Sequence, residues 1–180
     1  MNLKADLLRG NTETIILRFL SVPRGLKKIS INSVSGSLKL DGVSVSSVDI
    51  KTVSGKVNGS VSDLESVKIV TVSGKVKFDL SGNEMNCDIS TVSGKSELSF
   101  SGLYEAKITS FSGAQHIVLR DRAQALYLNS ASSNVTVDAE GAGGVNIIAN
   151  SGSGKVVDSH SNPNGTYVEA RTKSGKIEIK

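Results

Sequence analysis

Charged side chains recur at fixed intervals along this chain, and they are the first candidates for chemistry. A lysine follows a Ser-Gly pair at Lys56, Lys75, Lys95, Lys155 and Lys176. Ammonium groups in such a row form a basic stripe able to grip a polyanion, while the plainer reading is a solvated stripe that discourages aggregation. Neighbouring ammonium groups ~5 Å apart would repel one another by about 1 kcal/mol even in water. Asp79, Glu97 and Asp121, with Arg120 and Arg122, are the loose candidates for the paired carboxylates of a carbohydrate-active enzyme. Their positions in the repeat do not converge on one face, so a catalytic site is not expected. His116 points outward and His160 lies in the loop segment DSHSNPNG. Neither has a histidine or Ser-His-Asp partner at readable spacing, and both read as surface residues. SGSGKV at Ser151–Val156 resembles a phosphate loop but lacks the required Gly-Lys-Ser/Thr ending. Cys87, the one cysteine, falls on an apolar slot and reads as an inert filler. No catalytic residue, cofactor or metal is expected.

The elements that would position these residues come from a repeat. With the glycine of each Ser-Gly pair as reference, the slot falls at Gly36, Gly55, Gly74, Gly94, Gly113, Ser133, Gly154 and Gly175. The spacings of 19 to 21 residues make eight copies. Structural corners are thereby assigned to Ser54-Gly55, Ser73-Gly74, Ser93-Gly94 and Ser112-Gly113, with a hydroxyl always three residues before the slot. Five before it stand Ile31, Ile50, Ile69, Ile89, Ile108, Leu128, Ala149 and Ala170. Seven before it stand Ile29, Val48, Val67, Cys87, Ala106, Leu126, Ile147 and Val168. A period of two means strands. Each copy therefore reads as strand, glycine corner, strand and a looser return, too short for a propeller blade and without a leucine-rich-repeat pattern.

The predicted fold is all-β: a single parallel β-solenoid of about eight coils, right-handed by the usual crossover rule, ~4.8 Å per coil and roughly 34 Å long. Glycine permits the corner, and the Ser and Thr slots can form hydroxyl ladders that satisfy corner backbone groups coil after coil. Six before the slot, Asp49, Lys68, Asp88 and Lys107 alternate in sign over four coils, as an ion-pair ladder in this register would require. Residues 1–27 do not fit the repeat and read as an N-terminal lead-in that caps the first coil, leaving 28–180 as the repeat domain. At the other end Thr172–Lys180 forms a regular last copy with Ile177 and Ile179 in core slots. Nothing follows to cover it, so it reads as a bare parallel edge inviting a homodimer.

Repeated TVSGKV corners with VKI and CDI strands, entered through PRGLKKISINSVSGSL at Pro23–Leu38, resemble the bacterial adhesin-like domain. That family is a β-solenoid of cell-envelope proteins, including those of Lia-type envelope-stress systems, and the resemblance covers Lys27–Lys180. It implies a non-catalytic scaffold or binding module at the cell envelope or surface. The implied partners are an anionic envelope polymer, lipid headgroups or another envelope protein. It offers no catalytic residues to carry over. The rival class is a carbohydrate-active β-helix enzyme acting on envelope polysaccharide.

Composition sets the outer bounds. The 180 residues suffice for one domain with a real core, and aromatic residues make up only 4%, so small and β-branched side chains must fill the interior. The net charge of +4 is spread rather than clustered, which gives no sign of a specific nucleic-acid partner. The longest apolar run, Ile15–Leu20, is short and interrupted by Arg18, and no signal-like segment is expected. The residues alone leave the cytoplasm open as an address.

Overall fold

The computed structural model describes residues 2–7, 14–18, 26–158 and 161–180. Its strands are β1 (Asn2–Leu7), β2 (Thr14–Arg18), β3 (Lys28–Ser33), β4 (Ser37–Ser44), β5 (Ser47–Thr52), β6 (Val57–Ser73), β7 (Val76–Ser93), β8 (Ser96–Ser112), β9 (Gln115–Leu119), β10 (Ala125–Ser132), β11 (Val135–Asp138), β12 (Val145–Ser151), β13 (Val156–Asp158), β14 (Thr166–Ser174) and β15 (Ile177–Ile179). Every pairing among them is parallel, and the single helical element among the described residues is a 3-10 turn at Glu140–Ala142. This is the expected β-solenoid of about eight turns. No described helix is long and apolar enough to cross a membrane.

The apolar slots stack as the period of two requires. Ile31, Ile50, Ile69, Ile89, Ile108 and Leu128 are direct partners in successive layers, and each is buried. β6, β7 and β8 run on through the return bend, which is absorbed as a register shift around Val61–Ser66 and Ser81–Asn86. Leu64, Met85 and Leu103 close the third side of the core there. Two core positions depart from the apolar rule: Ser96 and Gln115 pair in adjacent layers, each 1% exposed, and Ser96 Oγ and Gln115 Oε1 have no hydrogen-bond partner. The charged row also keeps its register, with Asp49, Lys68, Asp88 and Lys107 neighbours in turn.

The corner explains why glycine returns. At Gly74 φ is +131°, and a Cβ there would lie 1.8 Å from the carbonyl oxygen of Gly55 in the layer below. Both the dihedral and the contact exclude an L side chain. The corner serines form a hydroxyl ladder: Ser54 Oγ donates to Val34 O at 3.3 Å and Ser73 Oγ to Val53 O at 3.3 Å. Within a turn, Thr71 Oγ1 donates to Ser73 O at 3.2 Å. Ser133, the substitute in the sixth copy, is not at positive φ.

Strands β1 and β2 pair with β3 and β4, so the lead-in contributes a strand pair below the first copy. Phe19, Leu20 and the Pro23-Arg24-Gly25 turn lie outside the described residues.

The C-terminal end departs from expectation. β14 pairs with β10 on one side and β12 on the other, and β15 lies between β11 and β13. The eighth copy is thus inserted between the sixth and the seventh. Thr172–Lys180 is no bare edge, because Ile177 and Ile179 are fully buried. The end layer is the seventh copy, β12 and β13, where Ile148 and Val156 are exposed. The connection at 139–144 has a physical reason: it skips a layer, leaving a gap of ~9.6 Å between turns six and seven, and residues 161–165 lead back into that gap. Asn162 secures the return, its N–H bonded to Val145 O at 2.7 Å and its Nδ2 to Gly143 O at 2.9 Å.

Two predictions follow from this geometry. Gly74→Ala should cost more than about 3 kcal/mol, since it adds a strained dihedral to a backbone clash, and should be visible as a fall in denaturant midpoint. Ile177→Asp should cost about 3 kcal/mol or more by burying a lone carboxylate, whereas Ile148→Asp on the open layer should stay within about 0.5 kcal/mol. Equal effects in urea unfolding would contradict the inserted eighth turn.

Candidate functional site

The second strand of each turn displays its charged residues outward, because inward slots alternate with them. One row, three after the glycine, runs Asn58, Lys77, Glu97, His116 in successive layers. With the lysine row beside it, this face forms an open groove of about 730 Å³. Its lining includes Lys56, Lys75, Lys77 and Arg120 against Asp79 and Glu97, with His116 in the same wall.

Glu97 organises the groove. Its carboxylate meets Lys75 Nζ at 2.8 Å, Lys95 Nζ at 2.9 Å and Lys77 Nζ at 3.8 Å. Hydrogen bonds from Lys75 and then Lys95 lower its pKa from the ordinary 4.5 to about 2. The lysines of turns three and four are therefore bridged by an anion rather than left to repel each other, which corrects the picture of bare neighbouring charges. Lys56 has no carboxylate partner among the described residues. Lys176 pairs with Glu178 at 3.0 Å and lowers that carboxyl's pKa, while Lys155 stands exposed on the end layer. Because of the inserted turn, Lys176 precedes Lys155 along the rod, and Ala114 and Asn134 separate both from the Lys56–Lys95 group.

The carboxylate candidates require a second correction. Asp79, Glu97 and Arg120 do converge, since Arg120 reaches across two layers to Asp79 at 2.7 Å inside the same groove. Sequence spacing misses this because a long side chain spans the ~10 Å that separates their layers. Asp121 lies elsewhere and serves the bend at Gly102, where it accepts from Ser101 Oγ at 2.7 Å and from Gly102 N at 2.9 Å. Arg122 is exposed. His160 lies outside the described residues. Cys87 is buried among the core residues, and burial, followed by the neighbouring Asp88 charge, pushes its thiol pKa up, so it is a poor nucleophile. The assigned corners Ser54-Gly55, Ser73-Gly74, Ser93-Gly94 and Ser112-Gly113 all form turns between the two strand columns.

The groove can hold an anion by charge. It is poorly suited to proton transfer from Glu97, whose carboxyl is held ionised by the lysines around it.

Stacked corners, a mixed-charge groove and parallel pairing throughout define a β-solenoid repeat domain. The family model for Toastrack DUF4097 matches residues 2–180, and the chain belongs to that family. No curated protein and no solved structure matches the chain.

The depressed carboxyl has a definite sign. Its contribution to stability is fully present above the unfolded value near 4.5 and is lost as pH falls through about 2. Wild type should therefore melt above Glu97→Gln at neutral pH, and the gap should close between pH 4.5 and 2. A gap independent of pH would show that the ion pairs do not hold this carboxyl.

Proposed function

We propose that this Toastrack domain is a non-catalytic, adhesin-like binding module or scaffold of the bacterial cell envelope, and that its outer groove grips an anionic polymer. The observation that carries the reading is the surplus of cations over anions lining one groove, with Lys75 and Lys95 held in place by Glu97 and Lys56 free of any described carboxylate. Preorganised ammonium groups lose less side-chain freedom on binding, and a polymer engages several layers at once. The envelope address rests on the resemblance of the corner repeats to envelope solenoids.

The decisive experiment is titration of the purified chain with polyphosphate and with poly(glycerol phosphate) over a range of salt. Replacing Lys56, Lys75 and Lys95 together by Gln should weaken binding at least about tenfold and flatten its salt dependence, with little change in melting temperature. Unchanged affinity would return the lysines to a solubilising role.

A carbohydrate-active enzyme is the second reading, favoured by the convergence of Asp79, Glu97 and Arg120. It predicts turnover of an envelope polysaccharide that Glu97→Gln abolishes. The first reading predicts none.

A further inference from the structure

The residue two before each corner glycine faces outward. In five successive layers it is Val34, Val53, Val72, Val92 and Phe111. The four valines are 44% to 50% exposed and Phe111 is 66% exposed. Register places them in line, since Thr71 pairs with Thr91 and Ser73 with Ser93 on either side of Val72 and Val92. They form an apolar ridge four steps of ~4.8 Å long, or about 19 Å. Lys56, Lys75 and Lys95 stand directly across the Ser-Gly corner from Val53, Val72 and Val92. One edge of the rod therefore carries an apolar row and, parallel to it, a cationic row.

We propose that this edge is a membrane-docking surface that lies along a bilayer rich in anionic lipid, with the valine and phenylalanine row entering the interface and the lysine row meeting lipid phosphates. Three features favour a bilayer over a folded partner. The row is one side chain wide and sits on a convex corner, so it falls short of the ~800 Å² per partner of a standard protein interface. The serine and glycine between the rows are tied into corner hydrogen bonds, which leaves no free backbone edge for strand addition. Apolar groups beside lysines match the layered chemistry of the headgroup boundary, where each lysine adds electrostatic attraction. Lys56 and Lys75 also line the polyanion groove and Lys95 pairs with its Glu97, but the apolar row is no part of that groove, and this separates the two ideas.

The test is co-sedimentation of the full chain with vesicles of equal phosphatidylglycerol and phosphatidylcholine, and with pure phosphatidylcholine, beside titration with soluble polyphosphate. Wild type should bind the anionic vesicles and not the neutral ones. Replacing Val53, Val72, Val92 and Phe111 together by Ser should reduce vesicle binding at least about tenfold and leave polyphosphate binding and melting temperature unchanged. Replacing Lys56, Lys75 and Lys95 by Gln should reduce vesicle binding about a hundredfold. The chain has no tryptophan, so Phe111→Trp supplies a clean reporter whose emission should shift to the blue when anionic vesicles are added. Failure of wild type to bind vesicles overturns the proposal, whatever polyphosphate does. So does vesicle binding that the serine variants leave intact, which would mean charge alone suffices. Concentration-dependent dimers abolished by the serine variants would assign the ridge to a second copy and overturn it equally.

Discussion

The first five turns of this solenoid depend on close contact between backbones at the corner. The carbonyl of Gly55 occupies the space a side chain on Gly74 would need, and the same contact recurs from Gly74 to Gly94 and from Gly94 to Gly113. Only with the corners this close can the hydroxyls of Ser54 and Ser73 reach the carbonyls below. The parallel ladders and the Ile column inherit their register from it. A slip by one residue would turn the Ile column to solvent and charged residues inward.

The four residues Val-Ser-Gly-Lys thus carry two kinds of consequence. Serine and glycine tie layers together, while valine and lysine have no partner in the core and become surface rows by repetition alone. A charge that matters little once becomes a field when it recurs each layer, and Glu97 tempers it where three lysines surround one carboxylate. An apolar side chain follows the same logic.

Much of the fold could be read from residues, because the inward slot held by Ile50, Ile69 and Ile89 is apolar in all eight copies. The order of the layers could not. Ala149 and Ala170 occupy the same slot, as do Val156 and Ile177, so periodicity states which side of a turn a residue takes but not which turn lies above it. The signal was present in the longer connections and in the weaker core of turn seven, where Ala149 and Val156 stand. The lysine row was equally legible. Its carboxylate partner was legible in principle, since Glu97 follows Lys95 by two residues and pairs in register with Lys77. The reach of Arg120 to Asp79 was not, because it depends on a side-chain path across layers. Ser96 and Gln115 in the core were also missed, as polar residues in apolar slots.

The inserted eighth turn also divides the order of synthesis from the order of assembly. Up to β11, each new segment can settle on the layer completed just before it, as in other repeat proteins that grow from neighbour to neighbour. Residues 145–158 cannot do so, because their strand neighbours among the described residues, β14 and β15, have not yet been made. Docking them early on β10 and β11 would fill the place of the eighth turn with a copy carrying nearly the same slots. The last two turns must therefore close as one cooperative unit after the chain has passed Ile179, while the turns below are already a finished template.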